Sequence, residues 1–132
     1  MKDRRYIQKA LFILYLLAVG YLCFGHFSSI PTTPRDILGI PSDKWAHFLM
    51  FFPFALLLYR AFDWRTAGWW HSLLLVAGIF ALGCLVAAGT EIGQGMTTYR
   101  SKDPEDFVAD ILALALSTAA VLIIDLKKNL KK

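Results

Sequence analysis

No charged side chain interrupts the stretch 67–90. A helix needs about 20 apolar residues to cross the hydrocarbon core of a bilayer. A chain with such a run must place it in lipid or build a large core around it. This chain has 132 residues, of which 57% are hydrophobic and 18% charged. Soluble domains average roughly 45–50% apolar and about 25% charged residues, so the second solution is closed to it. The mean hydropathy of +0.51 excludes disorder. The two cysteines, Cys23 and Cys84, lie inside apolar runs rather than in loops, which excludes a disulfide scaffold and reads as a pair of thiols.

Three further runs have spanning length. With 67–91 they make four, at about 6–27, 45–62, 67–91 and 107–126. No linker or internal repeat divides the chain, so the expectation is one membrane domain over 1–132. Backbone groups in lipid must pair within their own segment. The predicted fold is therefore all-α, a polytopic bundle of four transmembrane helices. The first run follows Lys2, Arg4 and Arg5 as a signal peptide would, but its apolar stretch is longer than an h-region and no small-x-small cleavage site follows. Pro53 is expected to kink the second span near its middle.

The net charge is +4 and the pI about 9.2, but the charges sit at the chain ends and between apolar runs, which argues against nucleic acid. With the N-terminus inside, ten basic residues fall on the inner side, among them Arg60, Arg65, Lys127 and Lys128. Four fall outside, namely Arg35, Lys44, Arg100 and Lys102. This bias predicts two cytoplasmic termini and a multi-pass protein of a bacterial cytoplasmic membrane. The acids show the reverse bias, with most of them at the outer side.

The outer ends of the last three spans carry polar residues at helical spacing. Asp43 and His47 are i,i+4 neighbours, as are Asp106 and Asp110, and Glu91 and Gln94 are i,i+3; each pair is expected to share a face. Gly78, Gly83, Ala87 and Ala88 precede Glu91 and allow another helix to come close. Asp103 suits an N-cap, Pro104 the first helical position and Asp106 the third. Capping does not account for Asp110, a turn further into an apolar helix. His26 and His71 sit at span ends, where an amphipathic ring is comfortable, and Asp125 reads as an interfacial ion-pair residue beside Lys127 and Lys128. Intramembrane ionisable groups are expensive and point to function by default. His47, Glu91, Arg100, Asp106 and Asp110 are thus expected to converge in one cavity open to the outer leaflet.

Asp43-Lys44-Trp45-Ala46-His47-Phe48 and Glu91-Ile92-Gly93-Gln94, followed by Arg100 and Asp106 six residues on, resemble in order and spacing the motifs of the VanZ-like family. These are small bacterial membrane proteins whose namesake is associated with resistance to the glycopeptide teicoplanin. Asp110 stands where the family usually has Asn and Ala113 where it usually has Gly; the first change adds a possible charge. The resemblance covers about 43–121 and implies a four-helix membrane fold in the cell envelope.

Two functions compete. In the first, the site recognises or acts on a lipid-linked or cell-wall precursor headgroup. Lys44 and Arg100 would hold its anionic part, His47 would act as base with Asp43 orienting it, Glu91 or Asp106 would supply an acid, and Gln94 and Asp110 would complete the binding surface. The carboxylates and the imidazole could also hold a divalent cation, although no established metal or cofactor spacing is present. In the second, the cluster is non-enzymatic: helix-packing glue, or a site for a glycopeptide, lipid or protein partner.

Overall fold

The computed structural model describes residues 2–25, 36–98 and 103–132, with the side chain of Asp36 excepted. The sequence positions His26 and Arg100 lie outside the described residues. The elements run α1 (Lys2–Phe24), β1 (Asp36–Ile37), β2 (Ile40–Pro41), α2 (Ser42–Phe51), α3 (Phe54–Phe62), α4 (Trp69–Gly95) and α5 (Pro104–Leu130). α2 and α3 are two halves of one apolar stretch, so among the described residues four helical segments are long and apolar enough to cross a membrane. Helix α1 starts earlier than its apolar run and α4 and α5 extend beyond theirs, because a helix propagates through polar flanking residues as readily as through apolar ones.

The interruption between α2 and α3 falls at Phe52 and Pro53. Pro53 has no N–H to give to the preceding turn, which is the physical cause of the break. α3 ends at Asp63 in the left-handed conformation, φ 46°, and the exposed Arg5–Asp63 pair at 3.5 Å ties that end to the start of α1. Lys132 donates to the Thr66 carbonyl at 3.1 Å. Both described chain ends therefore lie at the same end of the bundle.

The core lies where α5 packs against α2, α3 and α4, with Phe51, Phe54, Ala55, Leu114 and Val121 almost fully enclosed. Gly83 lets α4 close on it: a Cβ there would lie 2.6 Å from Leu114 Cδ2 and 3.2 Å from Phe54 Cδ1. Ala87 is likewise buried, whereas nothing lies within 4 Å of a Cβ at Gly78. α1 packs mainly on α3 and buries only Val19 and Cys23, leaving Ile7, Leu11, Leu14 and Leu17 exposed. Such a surface requires lipid. Cys23 and Cys84 form no disulfide.

A small antiparallel hairpin, with Asp36 paired to Pro41 and Ile37 to Ile40, precedes α2 and was not legible as strands in the sequence. Its turn residues, Leu38 and Gly39, both have positive φ, 55° and 77°, as a two-residue type I′ turn requires. Trp45 Nε1 donates to the Ile37 carbonyl at 3.0 Å, which fixes the hairpin to the start of α2.

Candidate functional site

The stripe that α2 turns inward is Lys44, His47 and Phe51, spaced i, i+3, i+7. It meets the carboxylate ladder Asp103, Asp106 and Asp110 on α5. Asp103 caps α5, with φ −126° and a side chain that accepts from the Glu105 N–H at 2.9 Å, and Pro104 follows at the first helical position. Lys44 Nζ donates to Asp103 and Asp106, and to Asp43 at 3.0 Å. The ammonium against Asp103 holds that carboxyl below the usual carboxylate range, helped by the Glu105 N–H.

One turn deeper, His47 lies between two carboxylates. Its Nδ1 is 3.0 Å from Asp110 Oδ1 and its Nε2 is 3.3 Å from Asp106 Oδ2. From α4, Glu91 Oε2 accepts the Asp103 N–H at 3.3 Å. A ring nitrogen of His47 and one oxygen each of Glu91 and Asp106 all lie within 4.8 Å of one another. The three side chains come from three different helices, and all are buried.

Hydrogen bonding around this chamber is incomplete. Glu91 is 3% exposed and Asp110 fully enclosed, yet Glu91 Oε1 and Asp110 Oδ2 have no partner among the described residues. A buried polar atom left unpaired costs about 1–3 kcal/mol, more when charged. A crevice of about 360 Å3 between α4 and α5, lined by Ala88, Glu91, Ile92, Pro104 and Phe107, leads to Glu91. The helix surfaces flanking it, Leu85 and Ile92 on α4 and Val108 and Leu112 on α5, are exposed and apolar. The crevice therefore opens sideways, toward lipid.

Three sequence expectations change in detail. Asp43 does not orient His47: its side chain is 58% exposed and rests on Lys44, while Asp110 takes the orienting position. A helix advances about 100° per residue, and the inward stripe passes through residue 44 rather than 43. Lys44 is already engaged by three carboxylates and is not free to hold an anionic headgroup. Gln94 is buried but faces α1, donating to the Cys23 carbonyl at 3.0 Å. Arg100 lies outside the described residues.

At the opposite end, Asp125 also departs from expectation. It is 2% exposed and accepts from Tyr59 Oη at 2.6 Å, Ser72 Oγ at 2.6 Å and Thr66 Oγ1. Asn129 Nδ2 then donates to Thr66 and Ser72 at 2.9 and 3.0 Å. Lys128 lies over the Tyr59 ring, 4.5 Å from its centroid. Asp125 shares the inward face of α5 with Val121, and Lys128 reaches the Tyr59 ring rather than the Asp125 carboxylate.

A family model for VanZ/LLP1 matches residues 12–125, a range that includes α2 to α4, the chamber and most of α1 and α5. The chain belongs to the VanZ/LLP1 family. The family assignment thus rests on nearly the whole chain, whereas the motif resemblance started only at Asp43. A relative is an uncharacterised protein of Schizosaccharomyces pombe, C11E3.10, 33% identical over 108 residues, which are 82% of this chain and 58% of that protein. This VanZ/LLP1 chain thus spans little more than half of that relative's length. No solved structure matches it.

Proposed function

We propose that the chamber recognises the polar headgroup of a membrane lipid that enters sideways between α4 and α5, with Glu91, His47 and Asp106 facing the headgroup. The observation that carries this reading is the crevice ending at Glu91, whose buried Oε1 has no partner among the described residues. Apolar walls suit the upper part of an acyl or isoprenyl chain, and the polar floor suits what that chain carries. A lipid-linked cell-wall precursor is one member of this class. A glycopeptide antibiotic, a sugar-bearing macrocyclic peptide, is too large for a space of about 360 Å3. A relative in fission yeast supports a headgroup chemistry shared widely among membranes over one confined to a bacterial wall. The excess of basic residues at the opposite end supports an outward-facing chamber and cytoplasmic termini; a reporter fused after Lys132 that is active only outside the cytoplasm would reverse this orientation.

A second reading is favoured by one observation. The contacts of Lys44 with Asp103 and Asp106 join α2 to α5 and are complete within the protein, so this part of the cluster is glue. The two readings divide the cluster between them. The test is native mass spectrometry of the full chain purified in mild detergent. Wild type should retain a headgroup lipid that Ala88→Trp, which fills the crevice from its wall, loses. An unchanged lipid complement in a folded Ala88→Trp protein would exclude the crevice as an entry route.

A further inference from the structure

Around His47 the hydrogen-bond acceptors outnumber the donors. With Asp110 accepting from Nδ1, the hydrogen of a neutral ring is on that nitrogen, and the Nε2 lone pair then faces Asp106 Oδ2 at 3.3 Å. Two acceptors at that distance need a cation or a proton between them. A proton on Nε2 would serve Asp106 but would leave Glu91 Oε1, buried and without a partner among the described residues, as it is. The carboxylates of the neighbouring trio Asp43, Asp103 and Asp106 also lie within 4.8 Å of one another, and there the ammonium of Lys44 is the cation. No side-chain cation among the described residues contacts Glu91.

We infer that His47, Glu91 and Asp106 form a binding site for one divalent transition-metal ion, Zn2+ or Mn2+. One imidazole with two carboxylates is a donor set that suits these ions better than the all-oxygen preference of Ca2+ or Mg2+. Ligand atoms about 2.1 Å from a tetrahedral ion lie about 3.4 Å apart, close to the 3.3 Å between His47 Nε2 and Asp106 Oδ2. Asp110 supplies the carboxylate that commonly sits behind a metal-binding histidine and fixes its tautomer. Three protein ligands leave a position open, and the crevice reaches the site at Glu91. This deepens the headgroup reading and rests on it only for what the ion does. An anionic phosphate oxygen is repelled by the carboxylates of the chamber and can approach them across a divalent cation.

The test is titration of the EDTA-stripped full chain, in detergent, with Mn2+ or Zn2+ alone. Wild type should take up one ion per chain. Glu91→Gln and His47→Gln should each weaken binding at least about tenfold, the lower end of what even outer-shell ligand partners are worth. Asp43→Asn, in the Lys44 trio, should leave it unchanged. Pulsed electron paramagnetic resonance of bound Mn2+ should show one imidazole nitrogen and needs no variant. No saturable uptake, uptake equal in Glu91→Gln, loss with Asp43→Asn instead, or bound Mn2+ lacking the nitrogen signal would each overturn the proposal. The two readings fail separately: silent metal titration with lipid still displaced by Ala88→Trp removes only the ion. Metal uptake with no lipid effect removes only the headgroup.

Discussion

The two ends of the bundle each enclose carboxylates, and they treat them differently. At the α5 C-terminal end, Asp125 Oδ1 is served by Tyr59 and Oδ2 by Ser72 and Thr66. At the chamber end, Glu91 and Asp110 each keep one oxygen without a partner among the described residues. A buried polar network whose groups are all paired rigidifies a fold. A network left incomplete has a cost in the folded protein alone, and that cost is recovered if a ligand completes it. The Asp125 cluster is thus a staple joining α3, the start of α4 and α5, while the Glu91 side of the chamber is the part we propose as a binding site. Lys44 shows that the chamber end contains both kinds of arrangement within a few ångströms.

The largest effect should come from Lys44→Met. Removing one partner of a buried ion pair typically destabilises by about 3–5 kcal/mol, here by leaving Asp106 buried beside His47 without its ammonium. Thermal unfolding in detergent should show it, and a change within error would mean that the Lys44 contacts do not hold α2 to α5. Asp125→Ala should follow at about 3 kcal/mol, since the Tyr59, Ser72 and Thr66 hydroxyls each lose an acceptor at about 1–3 kcal/mol before relaxation. Lipid retention by the surviving folded fraction should be normal. A stable variant that had lost its lipid would exchange the roles assigned to the two ends.

Asp103 separates capping from charge. Asn caps a helix about as well as Asp, whereas Ala costs about 1 kcal/mol more, so Asp103→Ala should be less stable than Asp103→Asn by that amount. The wild-type advantage over Asp103→Asn comes from the pairing with Lys44. Because the folded carboxyl is held below its usual value, that advantage is present above the usual carboxylate range and is lost as pH falls through the lowered folded value. Unfolding measured against pH for the two proteins checks this, and curves that stay parallel in acid would deny the pairing. The smallest effect is expected for Glu91→Gln, within about 0.5 kcal/mol of wild type, because the amide removes an unpaired carboxylate oxygen and can donate toward Asp106. A loss as large as that of Asp125→Ala would erase the contrast between the two ends.

Much of the architecture is legible in the sequence. Spanning length, the break at Pro53 and the Asp103-Pro104 start of α5 follow from local rules: the thickness of the bilayer, a missing N–H and the unsatisfied donors of a first turn. The grouping of His47, Glu91 and Asp106 was also legible, because depth along a helix is set by residue count. Which neighbour each side chain chose was not. Asp43 and Lys44 are adjacent in sequence, and only the packing of α2 on α5 decided that Lys44 turns inward and that Asp110 orients His47. Gln94 shares a helix with Glu91, yet the close approach of α1 takes it to the Cys23 carbonyl. The Asp125 staple was the least visible part. The nearby charges of Lys127 and Lys128 suggested an ion pair, while its actual partners are neutral hydroxyls on α3, α4 and the loop between them, brought together by folding. The polar residues Ser117, Asp125 and Asn129, spaced i, i+8 and i+12 on one face of α5, were the available signal. The sequence alone determined how many helices cross the membrane and how deep each ionisable group lies, because both depend on rise per residue and hydropathy. The tertiary structure decided which buried carboxylate oxygens are satisfied, because their donors are tens of residues away and hydrogen bonding depends on distance in space.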